Sequence, residues 1–209
     1  MNLDGLADDV QRRFEEKMAA RERALPAARA AIRSSANAIR AIHRGEFDLA
    51  HRLMDEARAK VDEGLDACGE EPDIRHAGFL QDAQKEYAEA RITEAAVQRR
   101  EIPSPDDLGV EIAPYLNGMA EAIGEARRHV LDLLRKGGGD RAEALLQTME
   151  DLYYLLVTMD YPDAITGNLR RSTDIARSIL EKTRGDLSLS IMQRRLEDAL
   201  ERHSKGLES

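Results

Sequence analysis

The sequence contains few aromatic residues and almost no cysteine. Tryptophan is absent, aromatic residues make up 4% of the 209 residues, and Cys68 is the only cysteine. A single cysteine excludes an intramolecular disulfide and suits a reducing compartment, so we expect a cytoplasmic protein. No N-terminal run resembles a signal peptide, and no apolar run approaches the roughly 20 residues that cross a bilayer. We therefore expect no membrane association.

Charged residues and strong helix formers dominate instead. Charged residues account for 34% of the chain, and the alternating pattern of a half-buried β-strand is absent. This composition predicts an all-α protein, and the length suits a single domain over residues 1–209. The formal net charge of −9 argues against binding of nucleic acid through overall charge, although it leaves room for local basic patches.

Apolar residues recur at helical spacing in seven predicted helices. Pro26 is predicted to begin a new helix or to kink the first one. At Gly185 the sixth helix is predicted to end and a seventh to begin. The fourth helix has the most regular stripe, which is typical of a face packed along another helix. Its members are Ile112, Leu116, Met119, Ile123, Ala126, Val130 and Leu133.

Two of these predicted helices each carry a pair of glutamates. Glu86 and Glu89 are three residues apart on the third helix, and Glu121 and Glu125 are four apart on the fourth. Side chains at these spacings are neighbours on one helix face. If the two helices pack as antiparallel neighbours, the pairs can converge. Four carboxylates would suit Mg²⁺ or Mn²⁺, which lowers the pKa of a bound water for attack on a phosphodiester.

The same spacing also fits a solvated helix face. Forty acidic residues produce many such pairs by chance, and charged helix faces are common. A di-iron carboxylate bundle is excluded, because the five histidines provide no Glu-x-x-His motif. Spacing alone therefore leaves a metal site and a solvated face as alternatives.

Basic residues fall into two groups. The early group comprises Arg29, Arg33, Arg40 and Arg44, and the late group comprises Arg170, Arg171, Arg177, Lys182 and Arg184. Arg33, Arg40 and Arg44 share one side of a predicted helix, so they could follow the phosphates of a nucleic acid. Each group also fits a solvated face that balances acidic neighbours.

Two segments resemble the translin/TRAX family. Residues 84–90, QKEYAEA, are similar to the family's Gln-Glu-Tyr-Val-Glu-Ala segment. Residues 115–125, YLNGMAEAIGE, are similar to its Tyr-Leu-x-Gly-x-x-Asp-Leu-x-Gly-Glu-Leu segment. Residues 41–45 and 169–186 also resemble family sequence, so the similarity spans most of the chain in order.

The resemblance implies a seven-helix α fold that assembles into a hollow particle, usually of eight subunits. TRAX-type members are Mg²⁺-dependent endoribonucleases that cut single-stranded RNA, whereas translin-type members bind nucleic acid without the acidic cluster. Matched residue by residue, the TRAX-type carboxylates fall on Glu86, Glu89, Glu121 and Glu125. The third of these is Asp in the family segment, so Glu121 is one methylene longer.

We therefore interpret the chain as a TRAX-like endoribonuclease in a homo-octamer. Glu89 and Glu125 are the expected direct Mg²⁺ ligands, and Glu86 and Glu121 complete the shell or position the attacking water. The expected RNA contacts are Arg33, Arg40, Arg44, Arg170, Arg171 and Arg177. A non-catalytic particle that binds single-stranded RNA or DNA is the alternative, and a helical protein–protein adaptor is a third.

Overall fold

The computed structural model describes residues 3–69 and 71–207, and the secondary structure of this part consists of α-helices joined by turns and short loops. The six long helices are α1 (Leu3–Arg44), α2 (Phe47–Asp66), α4 (Gly78–Gln98), α6 (Ile112–Arg135), α7 (Gly139–Val157) and α9 (Leu169–Leu207). The three single-turn helices are α3 (Pro72–Arg75), α5 (Pro105–Leu108) and α8 (Asp163–Thr166). The all-α prediction is confirmed.

Contacts divide the described chain into two compact units. The first comprises the chain up to residue 92 together with residues 103–118. The second comprises residues 93–102 together with the chain from residue 119 onward. The helices α4 and α6 therefore contribute residues to both units.

The first unit is built on the pair α1 and α2. Gly45 ends α1 with a φ of +76°, a left-handed conformation that glycine adopts without steric cost. The buried residues of α1 are mostly alanines, namely Ala20, Ala24, Ala27, Ala28, Ala31, Ala38 and Ala41. Because alanine projects little beyond the backbone, α2 comes close to α1. A Cβ atom at Gly64 would lie 3.7 Å from the carbonyl oxygen of Ala24.

The second unit is built on the packing of α7 against α9. The buried residues of α7 include Leu145, Met149, Leu152 and Leu156, and those of α9 include Ala176, Leu180 and Leu187. Arg127 links α6 to α9, because its guanidinium donates to the Thr183 hydroxyl at 3.0 Å and pairs with Asp186 at 2.7 Å. Apolar burial and this ion pair thus hold α9 from its start to Leu187.

One predicted helix boundary is wrong, because α9 continues through Gly185. At Pro26 the structure excludes the start of a new helix, because α1 continues through that proline. Glycine inside a helix costs only about 1 kcal/mol relative to alanine. The buried Leu187 and the paired Asp186 follow Gly185 directly, and their contacts offset that cost. The seven predicted helices therefore become the six long helices and three single turns of the described chain.

Both terminal helices expose apolar residues at helical spacing. On α1 these are Leu3, Leu6, Val10, Phe14 and Met18, and on α9 they are Leu189, Met192, Leu196 and Leu200. Spacings of three and four residues place each set on one side of its helix. None of the helices in the described ranges combines the length and hydrophobicity that a membrane span needs.

Candidate acidic site and basic surface

The helix α4 carries Glu86 and Glu89 within the first unit. No glycine or proline interrupts α4 after its first residue, so its turns hold both side chains on one face. A carboxylate oxygen of Glu86 lies within 4.8 Å of one of Glu89. Glu89 is only 7% exposed, and Lys85 Nζ lies 3.5 Å from the Glu86 carboxylate. The lysine therefore offsets part of the repulsion between the two carboxylates.

The helix α6 comes against this segment at Gly118. A Cβ atom at this position would lie 2.6 Å from the Lys85 carbonyl oxygen and 3.0 Å from the Glu89 amide nitrogen. These distances leave no room for a side chain, so glycine allows the backbones of α4 and α6 to touch. The contact falls on the turn of α4 that carries Glu86 and Glu89.

Gln84 fixes the start of α6 against α4. Its buried Oε1 accepts a hydrogen bond from the Glu111 amide at 2.8 Å. The Glu111 carboxylate in turn accepts from Gln81 Nε2 at 3.0 Å. The first N–H groups of a helix lack acceptors within that helix. Gln84 supplies an acceptor for one of them at the N-terminus of α6. Together with Gly118, these bonds set the register of α6 along α4.

Glu121 and Glu125 follow Gly118 on the same uninterrupted helix. Glu121 lies three residues beyond Gly118, a rise of about 4.5 Å along the axis. Both glutamates are partly buried and belong to the second unit, whereas Glu86 and Glu89 belong to the first. The convergence of all four carboxylates stays a prediction.

The tyrosines of the two family-like segments have structural roles. The Tyr115 hydroxyl donates to the Pro103 carbonyl oxygen at 2.8 Å, which ties the turn before α5 to α6. Burial raises the pKa of both Tyr87 and Tyr115, so both phenols remain protonated at neutral pH. Neither is poised to act as a base.

Sequence reasoning missed the buried carboxylate of Glu94. Its Oε1 accepts from Gln98 Nε2 at 2.5 Å and pairs with Arg100 at 3.3 Å. These bonds tie the last turn of α4 to the residues that follow it. The spacing of four between Glu94 and Gln98 was a usable signal. For Gln84 no such signal existed, because its partner lies 27 residues away.

The early arginines predicted to bind RNA are exposed on α1 but differ in availability. Arg33 makes no ion pair within the described part of the chain. Arg40 donates to the Asn37 side-chain oxygen at 2.7 Å. Arg44 donates to both carboxylate oxygens of Glu46, at 2.9 and 2.7 Å. Arg33 is therefore the most available of the three for a phosphate.

The late arginines are exposed as well. Arg170 lies 3.4 Å from Asp160, and Arg177 lies 3.4 Å from Glu181. Exposed pairs at this distance contribute little and exchange readily for another anion. Arg171, like Arg33, makes no ion pair with a described residue. The late group thus presents three guanidinium groups on the first turns of α9.

Comparison with known proteins places this helical fold in a family. No family model matches the chain. The uncharacterised protein MJ0175 of Methanocaldococcus jannaschii is 34% identical over 193 residues, which cover 91% of this chain and 85% of that protein. The structure of AfC3PO in complex with duplex RNA is 31% identical, with a TM-score of 0.81, and the match covers 90% of this chain and 97% of that one.

Two further solved structures are similar to this chain. AfC3PO by itself has the same identity and TM-score, with 90% and 98% of the two chains covered. Apo-NeC3PO is 24% identical with a TM-score of 0.72, over 90% of this chain and 97% of that one, and it supports the fold alone. The class is therefore that of all-α proteins of the C3PO type. This chain belongs to the translin/C3PO family.

Proposed function

We propose that this protein is a TRAX-like, metal-dependent endoribonuclease that acts on single-stranded RNA or on single-stranded parts of RNA duplexes. The observation that carries the proposal is the backbone contact at Gly118, which brings α6 against the turn of α4 with Glu86 and Glu89. Its relative AfC3PO forms a complex with duplex RNA, which supports RNA as the ligand class.

The donor set fits a hard divalent cation. Carboxylate oxygens are preferred ligands of Mg²⁺ and Mn²⁺. Glu86 and Glu89 can each offer one oxygen to a common ion, and we assign Glu121 and Glu125 to the same site as its further acidic residues. A bound Mg²⁺ would polarise a phosphoryl oxygen and lower the pKa of a coordinated water.

The chain's own residues have separate roles in this proposal. Glu89 and Glu125 hold the ion, and the low exposure of Glu89 strengthens its attraction to a cation. Glu86 and Glu121 complete the shell or position the attacking water. Gln84 and Gly118 are positioning residues, because they set the register between the two acidic helices.

We further propose that the protein works as a homo-oligomer, with eight subunits as the expected number. The exposed apolar stripes of α1 and α9 supply surface for contacts between copies. The exposed arginines named above contact RNA phosphates, and single-stranded DNA is a second ligand to be tested.

A cleavage assay on single-stranded RNA tests the enzyme proposal. We expect cleavage with Mg²⁺ and none after chelation. The changes Glu89→Gln and Glu125→Gln preserve side-chain size and remove a charge each. They should lower the cleavage rate by at least about 100-fold and leave RNA affinity nearly unchanged. Glu143→Gln, at an exposed position on α7, is the matched control and should cleave like the parent.

Metal binding has its own readout. A cation that binds only the folded state raises the melting temperature. At a cation concentration of about 100 times Kd, the free energy of unfolding rises by about 2.7 kcal/mol. We expect Mg²⁺ to raise the melting temperature of the parent and of Glu143→Gln, but not that of Glu89→Gln. An equal rise in all three proteins would contradict the assigned site.

A non-catalytic RNA-binding particle is the second candidate. The contact between Lys85 and Glu86 favours it, because an ammonium group beside the carboxylate reduces the need for a cation. In that case the parent would bind RNA without cleaving it, and Mg²⁺ would leave the melting temperature unchanged.

A further inference from the structure

A cavity of about 300 Å³ opens between the end of α7 and the start of α9, within the second unit. Its apolar lining includes Leu156 and Leu169, each only 2% exposed. Polar and aromatic side chains complete the lining, namely Tyr153, Tyr161, Arg170, Thr173, Asp160 and Asp174. An apolar base with a few polar groups is typical of small-ligand sites, and this volume lies at the lower end of their range.

The charged groups of this cavity are available to a ligand. Asp174 makes no ion pair with a described residue, so its carboxylate is free to accept hydrogen bonds. Arg170 and Asp160 lie 3.4 Å apart, and both side chains are largely exposed. Such a pair is weak enough for a phosphate to compete for the arginine.

We infer that this cavity binds one unpaired nucleobase of RNA, with a preference for guanine. The inference rests on the proposed RNA-binding function and adds a base-reading subsite to it. Tyr161, 59% exposed, offers a ring face on which a base can stack. Arg170 lies at the same opening, where it can contact the phosphate of the bound nucleotide.

The free carboxylate selects the base. The Watson–Crick edge of guanine presents two adjacent donors, the N1–H and the 2-amino group, and one carboxylate can accept from both. Adenine presents an acceptor at N1, which repels Asp174. In a duplex the Watson–Crick edge is already paired, so the cavity takes only an unpaired base. This selectivity agrees with a preference for single-stranded segments.

A protein partner is the competing occupant, because Val157 in the lining is 50% exposed. The combination of a stacking tyrosine, an arginine and an unpaired carboxylate around one small cavity favours a nucleotide. A partner helix would instead bury the apolar residues along a face. The two occupants predict different effects of the same substitutions.

Binding of ten-residue oligouridylates with one central guanosine, adenosine or inosine tests the inference. The full-length protein is used with a chelator present, so that cleavage does not intervene. We expect the guanosine oligonucleotide to bind about tenfold more tightly than the adenosine one, a difference of about 1.4 kcal/mol, because adenine leaves the Asp174 carboxylate without a matching pair of donors. Inosine lacks the 2-amino donor and should fall between them. Asp174→Asn should remove the preference for guanosine. Tyr161→Ala should lower the affinity for the guanosine oligonucleotide by about tenfold.

A matched variant controls for nonspecific effects. Asp198→Asn removes an exposed carboxylate farther along α9 and outside the cavity lining. It should bind like the parent. Equal affinity for all three oligonucleotides, or a retained preference in Asp174→Asn, would overturn the guanine site alone. A change in particle mass rather than affinity on Tyr161→Ala would assign the cavity to a protein contact. If the parent binds none of the oligonucleotides, the proposed RNA function falls as well.

Discussion

At the scale of single residues, Gly118 determines how closely the two acidic helices approach. A methyl group there would lie 2.6 Å from the Lys85 carbonyl oxygen, and backbone cannot move aside as a flexible side chain can. We expect Gly118→Ala to lower the free energy of unfolding by about 1–3 kcal/mol, the usual cost of overpacking. Urea denaturation measures the change. Cleavage should fall too, because any shift of α6 moves Glu121.

Gly124 provides the matched control on the same helix. A Cβ atom there would meet only Ile179 Cδ1 at 3.6 Å, an ordinary contact. We expect Gly124→Ala to raise the free energy of unfolding by about 0.5–1 kcal/mol, because alanine is the better helix former. If both alanine variants gained stability, the result would contradict a close backbone contact at Gly118.

At the scale of elements, α9 continues through Gly185, and this continuity can be tested by a change in stability. Gly185 lies inside the helix without a positive φ, and a Cβ atom would meet open space. We expect Gly185→Ala to add about 0.5–1 kcal/mol to the free energy of unfolding. The control is Gly167→Ala, because Gly167 ends α8 with a φ of +61°, where an alanine is strained. Opposite signs for the two variants in urea denaturation would support the continuous helix.

The exposed stripe of α1 leads to a prediction about the whole molecule. Phe14 is 67% exposed, and its neighbours on the stripe are apolar. If this face packs against another copy, Phe14→Asp would place a charge in the interface and lower the particle mass measured by light scattering. Ala19→Asp adds the same charge at an exposed position off the stripe and should leave the mass unchanged. An unchanged mass for both variants would exclude this face from the assembly.

Charge at the scale of the whole molecule shapes RNA binding. A protein of net charge −9 must bind phosphates through local groups, so affinity should fall steeply with salt. We expect Arg33→Ala to lower the slope of log affinity against log salt by about one unit. Arg44→Ala should lower it less, because Glu46 already pairs with that arginine. Arg13→Ala, whose arginine pairs with Asp9, is the control. Equal slopes for Arg33→Ala and the parent would contradict the assignment.

Much of the fold could be predicted because a helix is indicated by apolar residues spaced three and four positions apart along the chain. The stripe of α6 is buried from Leu116 to Leu133, as its spacing indicates, and Ile112 is its one exposed member. Helix ends were harder to predict. Proline and glycine disfavour a helix locally by a few kcal/mol at most, and packing elsewhere on the same helix can outweigh that cost.

The sequence by itself determined the helical class, the two acidic pairs and their order on successive long helices, because these follow from residue type and spacing of three or four. Only the tertiary structure decided which backbone atoms meet. The contact of Gly118 with Lys85 and the cap from Gln84 to Glu111 join residues about 30 positions apart. The cavity between α7 and α9 likewise exists only once the two helices pack. No local pattern encodes such pairings, because they depend on how whole helix faces fit together.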